Sequence, residues 1–258
     1  MTPPGGTITI AGRTVSRLGL GTMRLAGRDS WHMPADRVGP SMVLLEAVRV
    51  HGITHIDTAD AYGPHTVEEL IHDCLASARL DTELLIATKV GMVRPGPNMW
   101  APLGRPAYLR AAVEGSLRRL GVDQLDLCYL HRNDPEVPFL DQVGALAELR
   151  SEGKIAHIGL SKVGPAEIDR ATEVIPVAAV QNKLSLEVQD DISTVEHCRK
   201  LGIPFVAYSP LGTGVLAERG EAGKALRWLL DLGPHVIPMP GTSNPRHLSE
   251  LVDSLAAG

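Results

Sequence analysis

The chain has 258 residues and a formal net charge of −5, with 44 % hydrophobic and 21 % charged residues. This composition is ordinary for a globular protein, and the absence of a lysine/arginine block argues against general nucleic-acid binding. The longest apolar runs fall well short of the ~18–20 residues that a membrane span needs, and the first six residues lack the features of a signal peptide. We therefore expect a cytoplasmic protein without nucleic-acid or membrane partners.

Short apolar segments alternate with segments of helical periodicity along most of the chain. After a predicted hairpin over residues 7–15, the candidate strands are 18–20, 54–56, 84–88, 125–130, 155–160, 178–181, 204–208 and 236–239. The candidate helices are 42–50, 68–80, 106–120, 140–150, 165–174, 192–201, 224–232 and 248–255. Strands that alternate with helices pair in parallel, and eight such units in a chain of this length favour a closed (β/α)8 TIM barrel over an open sheet.

Proline and glycine mark several of the predicted helix boundaries. Pro106 and Pro165 stand at first helical positions, and Gly121 and Gly202 follow helix ends. No linker rich in proline, glycine or serine divides the sequence, so we predict one domain over residues 1–258. The longest irregular stretch, 94–106, exceeds a simple connection, and we expect it to lie over the carboxyl ends of the strands.

Polar side chains follow three successive predicted strands. Asp57 and Tyr62 come after the second strand, Lys89 after the third and His131 after the fourth. In a barrel these strand ends surround one mouth, where barrel enzymes hold their active sites. A lysine ammonium lowers the pKa of a neighbouring tyrosine, a carboxylate fixes the lysine, and a neutral histidine orients a carbonyl oxygen. Such a set is a general acid beside an oxyanion-binding point, and it fits proton transfer coupled to hydride transfer from a cofactor.

Each of these residues has a plainer explanation when it is taken alone. An aspartate at a strand end commonly caps a turn, and a lone lysine or histidine there is commonly solvated or structural. Their joint occurrence favours the catalytic interpretation.

Residues 212–217 read GxGxxA, which resembles a Rossmann fingerprint, but they follow the seventh strand of a predicted barrel and are interpreted as a loop. The histidines show no HxH or HExxH spacing, so no metal site is predicted, and the three cysteines are interpreted as reduced packing residues.

Six segments of the chain, in order, resemble the aldo-keto reductase superfamily. They are DTADAYG at 57–63, ATK at 87–89, LDLCYLH at 125–131, IGLS at 158–161, VQN at 180–182 and YSPLG at 208–212. The likeness extends from about residue 18 to residue 251, and residues 24–27 and 62–65 look most like bacterial pyridoxal-reductase-type members. The resemblance implies NADPH-dependent reduction of a small aldehyde or ketone, with Tyr62 as acid, Lys89 and Asp57 tuning it, and His131 orienting the substrate.

The resemblance also implies a cofactor site at the strand ends. The implied contacts are Gly21, Thr22, Met23, Asp57, Ser161, Gln181, Asn182, Tyr208, Ser209, Pro210, Leu211, Gly212, Gly214, Pro240, Gly241, Thr242, Ser243, His247 and Glu250. Tyr208 would stack on the nicotinamide ring. His247, with Arg246 beside it, stands where the family often has an arginine for the 2′-phosphate, and Leu251 replaces an adenine-binding asparagine. NADH is therefore the alternative to NADPH.

The substrate side of the site carries the fewest sequence signals. The segment from Val215 to Lys224 is shorter than is usual for the family, and the sequence ends soon after the last helix. We therefore expect Trp31 and Trp100 to serve as walls beside Tyr62 and His131. We expect a monomer or weak homo-oligomer. The alternatives are a regulatory nucleotide-binding barrel, as in the beta subunits of voltage-gated potassium channels, and a biosynthetic enzyme acting on a specialised natural-product intermediate.

Overall fold

The computed structural model describes residues 3–27, 29–32, 36–78 and 83–256. Its strands are β1 (Thr7–Ile10), β2 (Arg13–Ser16), β3 (Leu20–Gly21), β4 (His55–Asp57), β5 (Leu85–Val90), β6 (Met92–Val93), β7 (Ala101–Pro102), β8 (Leu125–Leu130), β9 (Ile155–Ser161), β10 (Val177–Lys183), β11 (Phe205–Tyr208) and β12 (Val236–Met239). Its α-helices are α1 (Val38–Leu45), α2 (Thr66–Ala78), α3 (Pro106–Leu120), α4 (Phe139–Ser151), α5 (Pro165–Thr172), α6 (Ile192–Leu201), α7 (Val215–Glu218), α8 (Ala222–Asp231) and α9 (Pro245–Ala256).

Eight of the strands form one parallel sheet that closes on itself. Neighbours pair in the order β3-β4-β5-β8-β9-β10-β11-β12. The two end strands are joined by backbone hydrogen bonds from Gly19 N to Pro238 O (3.1 Å) and from Gly21 N to Pro240 O (2.8 Å). The predicted (β/α)8 barrel is therefore confirmed, with the β1–β2 hairpin paired antiparallel at its amino end.

The interior of the barrel is a small apolar core, separate from the larger core between the strands and the helices. Its strand residues are Leu85, Ala87, Leu127, Tyr129, Ala179, Val206, Ile237 and Met239. Ile10, Ala11 and Val15 of the hairpin belong to the same core, and Arg13 donates to Asp126 Oδ1 at 2.9 Å. The hairpin thus seals the amino-terminal end of the barrel, so the carboxyl ends of the strands carry its mouth.

A glycine in β9 creates the space for the largest interior side chain. A Cβ at position 159 would lie 2.4 Å from ring atoms of Tyr129. Glycine therefore lets the Tyr129 ring pack directly against β9, where there is no room for a methyl group. Lys89 Nζ lies 6.0 Å from the centroid of this ring, so Tyr129 forms the layer beneath Lys89.

Most predicted helices match the structure within a few residues. The α3 and α6 bounds agree with the prediction, and both helices end at glycines with left-handed backbone, Gly121 (φ 66°) and Gly202 (φ 68°). The predicted helix 42–50 begins four residues earlier and ends in a π-helical turn over Glu46–Val50. Residues 79–80 of the predicted second helix lie outside the described part of the chain.

Three of the strands and α-helices were not predicted. Strands β6 and β7 pair antiparallel within and beside the stretch that the sequence indicated as irregular, and the short helix α7 lies between β11 and α8. Cys74, Cys128 and Cys198 are buried with free thiols. None of the helices in the described ranges has the length and apolar character that crossing a membrane requires.

Candidate active site

Asp57 and Lys89 form a buried ion pair at the carboxyl ends of β4 and β5. Lys89 Nζ donates to Asp57 Oδ1 at 2.5 Å and to the carbonyl of Thr58 at 2.8 Å, and the Lys89 side chain is 1 % exposed. Gln181 Nε2, from β10, donates to Asp57 Oδ2 at 2.8 Å. Burial opposes the charge of Lys89, but Asp57 and Tyr62 outweigh it and raise the pKa of Lys89. Lys89 is therefore a fixed cation at neutral pH.

Tyr62 lies over this ion pair on the loop between β4 and α2. Lys89 Nζ is 5.3 Å from the centroid of the Tyr62 ring. Gly63, the next residue, has φ 83°, and a Cβ there would lie 2.0 Å from Thr66 Oγ1, so the turn that aims Tyr62 requires glycine. Burial raises the pKa of Tyr62 above its ordinary value, and the charge of Lys89 only partly offsets this effect. The sequence led us to expect a lowered pKa for Tyr62, and this expectation is wrong because burial outweighs the effect of Lys89. Tyr62 therefore holds its proton at neutral pH.

His131 stands beside Tyr62 at the end of β8. The two rings are 6.1 Å apart between centroids and nearly perpendicular, at 84°. Burial, together with the charges of Lys89 and Arg132, lowers the pKa of His131 well below its usual range. Its Nδ1 atom is buried and has no hydrogen-bond partner in the described part of the chain. His131 is therefore neutral, as its proposed role of orienting a carbonyl requires.

These residues border a cavity of about 650 Å³ at the mouth of the barrel. Residues at nearly every strand end line it: Gly21, Met23, Arg24, Asp57, Tyr62, Met92, Trp100, His131, Arg132, Ser161, Gln181, Tyr208, Ser209, Pro210, Leu211, Thr213, Gly214, Met239, Pro240, Gly241, Thr242 and Ser243. Most of the residues that the sequence indicated for cofactor and substrate are in this set. The volume is in the range of small-molecule and cofactor sites.

Several residues that the sequence indicated do not line the cavity. Thr22 turns its N–H and its hydroxyl to the carbonyl of Asp57, both at 2.9 Å. Asn182 donates to Val163 O and Asp191 Oδ1 and so ties two loops together. Trp31 lies beside Arg94 instead of the cavity. The remaining residues outside the lining are Lys89, which lies beneath it, and Gly212, His247 and Glu250.

The start of α9, indicated as a phosphate site, is partly capped by the protein itself. Asn244 Oδ1 accepts from the N–H of Arg246 at 3.0 Å, and Thr242 Oγ1 accepts from the N–H of Asn244 at 3.1 Å. Two of the backbone donors at this helix start are therefore already satisfied, and Pro245 has none. Thr242 and Ser243 still border the cavity, so an anion at this end would meet side-chain hydroxyls.

Two arginines for which the sequence indicated no role, Arg24 and Arg132, also border the cavity. Neither Arg24 nor Arg132 lies within 4 Å of a carboxylate within the described ranges. The charge of Arg132, followed by burial, lowers the pKa of Lys162 next to it. Unpaired arginines at one mouth suit a ligand with negative groups, and a nicotinamide dinucleotide is such a ligand. The sequence signal available was the position of each arginine directly after a residue already indicated for the site, Met23 in one case and His131 in the other.

The mouth also contains a loop with unusual backbone conformation. Ser209 (φ 52°), Gly212 (φ 57°), Thr213 (φ 60°) and Gly214 (φ 115°) all have positive φ between β11 and α7. A Cβ at position 214 would meet nothing within 4 Å, so backbone there faces open space. Such a loop lets a ligand approach the main chain closely, as a pyrophosphate group does in dinucleotide sites. The residues present therefore fit a nicotinamide dinucleotide.

Residues 17–225, more than half of the chain, match the model of the aldo/keto reductase family. The chain belongs to this family. The aldo-keto reductase is 40 % identical over 260 residues to an uncharacterized oxidoreductase of Schizosaccharomyces pombe, covering 96 % of this chain and 84 % of that protein. It is 35 % identical over 262 residues to pyridoxine 4-dehydrogenase of Escherichia coli, covering 95 % of this chain and 91 % of that protein. Aldo-keto reductases are NAD(P)H-dependent oxidoreductases, and this chain is one of them.

A solved structure shows the same architecture. The glycerol dehydrogenase from Gluconobacter oxydans superposes with a TM-score of 0.86 at 27 % sequence identity, and the match covers 97 % of this chain and 90 % of that chain. This aldo-keto reductase therefore shares its whole barrel with a solved relative. The likeness to pyridoxal-reductase-type members that the sequence indicated is supported by the Escherichia coli relative.

Proposed function

We propose that this aldo-keto reductase uses NADPH to reduce an aldehyde or ketone of a small molecule to the alcohol, with Tyr62 as the proton donor. The observation that carries the proposal is one cavity floor on which Tyr62 and His131 lie side by side above the buried Lys89–Asp57 pair. A tyrosine, a neutral histidine and a fixed cation together form a general acid beside a hydrogen-bond donor for a carbonyl oxygen.

The side chains act on the proton in a definite sequence. A carbonyl oxygen in the cavity accepts hydrogen bonds from the Tyr62 hydroxyl and from Nε2–H of His131, the ring nitrogen opposite the buried Nδ1. Tyr62 then donates its proton to this oxygen, and the ammonium of Lys89 stabilises the phenolate that remains. Asp57 keeps Lys89 charged and in place, and Gln181 fixes the second oxygen of Asp57. A bound reduced nicotinamide supplies the hydride.

The cofactor would lie along the strand ends from β9 to β12. Ser161 and Gln181 border the cavity where a carboxamide would bind, and the half-buried Tyr208 offers a ring for stacking on a nicotinamide. The loop from Ser209 to Gly214 would hold the pyrophosphate, and Arg24 and Arg132 supply positive charge at the mouth. Asp57 borders the cavity, so it would lie next to the cofactor, but both of its carboxylate oxygens are already bonded to Lys89 and Gln181.

Steady-state kinetics with purified protein test this function. We expect NADPH oxidation, followed by absorbance, with at least one aldehyde in a panel of aromatic and aliphatic carbonyl compounds. Binding of NADPH without turnover of any panel member would favour the regulatory barrel instead. Turnover restricted to a carbonyl compound outside such a panel, found with metabolite extracts, would favour the biosynthetic alternative.

The preference for NADPH over NADH is expected to depend on the exposed start of α9. Replacing both Arg246 and His247 with alanine should reduce the ratio of kcat/KM for NADPH to that for NADH by roughly tenfold or more, because a charged hydrogen bond to the 2′-phosphate is lost. The exposed Arg118→Ala on α3 is the control for loss of surface charge. An unchanged ratio would place 2′-phosphate recognition elsewhere at the mouth.

A further inference from the structure

Arg94 is buried at the base of a hairpin that covers one side of the cavity. We call residues 92–102, which comprise β6, β7 and their connection, the cover hairpin. Although the connection is largely exposed, Arg94 is only 9 % exposed. Its guanidinium donates to four backbone carbonyls, those of Met99 (2.9 Å), Ser30 (2.7 Å), Ala61 (3.3 Å) and Asp29 (3.2 Å).

The same guanidinium stacks on the one aromatic side chain of the cover hairpin. Arg94 Cζ lies 3.7 Å from the centroid of the Trp100 ring and 5.3 Å from that of Trp31. Trp100 borders the cavity and meets the Tyr62 ring nearly at a right angle, with 6.4 Å between centroids and 79° between planes. Arg94 thus covers part of the indole, and Trp100, which is 40 % exposed, presents another part of its surface to the cavity beside Tyr62.

Arg94 connects three segments of the chain through hydrogen bonds to their backbone carbonyls. In the part of the chain that the structure describes, no carboxylate lies within 4 Å of its guanidinium. Its donors instead join the cover hairpin to the segment containing Asp29 and Ser30 and to the loop that carries Tyr62. Only a planar fork with several donors can join three segments and stack on an indole at once, so lysine is no substitute.

We infer that Arg94 is a positioning residue that fixes Trp100 as a wall perpendicular to Tyr62 and so favours carbonyl substrates with a flat aromatic ring. The inference rests on the proposed function for its reacting atoms, since the carbonyl must lie at Tyr62. A planar ring placed against Trp100 keeps its aldehyde group at the Tyr62–His131 corner. A short aliphatic aldehyde reaches that corner without needing the wall.

Kinetics with two aldehydes separate this role from general structural support. We expect Arg94→Gln to raise KM for 4-nitrobenzaldehyde by about tenfold or more. The change in kcat should be smaller, because the bond from Arg94 to Ala61 O, next to Tyr62, is the longest of the four. Values of kcat/KM for propanal and Kd for NADPH should stay nearly unchanged. Arg94→Lys should not restore KM. Arg170→Gln is the matched control, since Arg170 also lies over an aromatic ring, that of Phe139, away from the cavity.

Fluorescence tests the position of Trp100 without any turnover. The contribution of Trp100 to the emission is the difference between the parent protein and Trp100→Phe. The same difference is measured between Arg94→Gln and the double variant Arg94→Gln/Trp100→Phe. We expect this contribution to shift to longer wavelength in Arg94→Gln because the indole becomes more hydrated. The chain has three tryptophans, so the difference isolates one of them.

The two readouts distinguish failure of the inference from failure of the proposed function. An unchanged Trp100 emission together with an unchanged KM for 4-nitrobenzaldehyde would overturn the positioning role. An equal fall in kcat for both aldehydes, accompanied by a lower Tm, would also overturn it and leave Arg94 as a stabilising residue. Absence of turnover by the unmodified protein with these two aldehydes and with the rest of the carbonyl panel would count against the proposed function, while the emission shift would still decide the position of Trp100.

Discussion

Replacing Tyr62 with phenylalanine should lower kcat for carbonyl reduction by about 10²- to 10⁴-fold while leaving Kd for NADPH nearly unchanged. The substitution removes one hydroxyl from a ring that keeps its contacts with Trp100 and His131. It leaves the Lys89–Asp57 pair intact. The expected loss corresponds to about 3–5 kcal/mol of transition-state stabilisation, which is what a positioned general acid supplies. Single-turnover kinetics with bound NADPH would measure it free of product release.

Tyr108→Phe is the matched control for this substitution. Tyr108 is a partly buried tyrosine of α3 that packs against the outer core and lies outside the cavity lining, so its loss of a hydroxyl should leave kcat unchanged. Turnover of Tyr62→Phe within a few-fold of the parent protein would show that the proton comes from another group. Because burial raises the pKa of Tyr62, the parent protein should keep its reductase activity through neutral pH and lose it only at pH values above the ordinary tyrosine pKa of 10.0.

The barrel could be predicted because each of its units has a local signal. Pro106 and Gly121 mark both ends of α3, and the apolar run at 125–130 marks β8 in full. The cover hairpin lacked such a signal. Its strands have two residues each, and their pairing of Met92 with Pro102 and of Val93 with Ala101 depends on tertiary contacts that periodicity does not report.

The four site residues could be predicted because each stands at the carboxyl end of a strand or in the loop that follows it. Their electrostatics could not be predicted to the same extent. The attraction between Tyr62 and Lys89 was anticipated, but the depth of burial, which raises the pKa of Tyr62, depends on the whole fold. The hydrogen bond between Gln181 of β10 and Asp57 could not be predicted from the sequence either. Gln181 was interpreted as a cofactor contact, and only the closed barrel shows that it also donates to Asp57.

Arg94 illustrates a role that no residue pattern announces. Carbonyl oxygens occur at every position of a chain, so an arginine that binds only carbonyls has no sequence partner to identify it. Trp31 and Trp100 were both expected to be substrate walls, yet only Trp100 borders the cavity. Arg94 lies beside both rings, 3.7 Å from the Trp100 centroid and 5.3 Å from that of Trp31, and only the folded backbone shows which of the two faces the cavity.

Replacing Lys89 with methionine should lower the free energy of unfolding by about 3–5 kcal/mol, since it leaves the Asp57 carboxylate buried without its cation. Gln181 still donates to one oxygen of Asp57, but one neutral donor does not replace an ammonium. In the unmodified protein the pKa of Lys89 is raised above its ordinary 10.5, so the pair contributes fully below that pH and its contribution is lost as pH rises further. Guanidinium denaturation at neutral pH measures the difference.

A double variant shows whether the unpaired charge, rather than lost packing, causes this effect. Adding Asp57→Asn to Lys89→Met removes the orphaned carboxylate while keeping an acceptor for Gln181, so the double variant should be more stable than Lys89→Met alone. Lys154→Met is the control, because Lys154 is paired with Glu114 and Glu152 at the surface, where solvent screens the attraction and only a small change is expected. If the double variant were as unstable as the single one, the buried pair would matter through its shape and not through its charge.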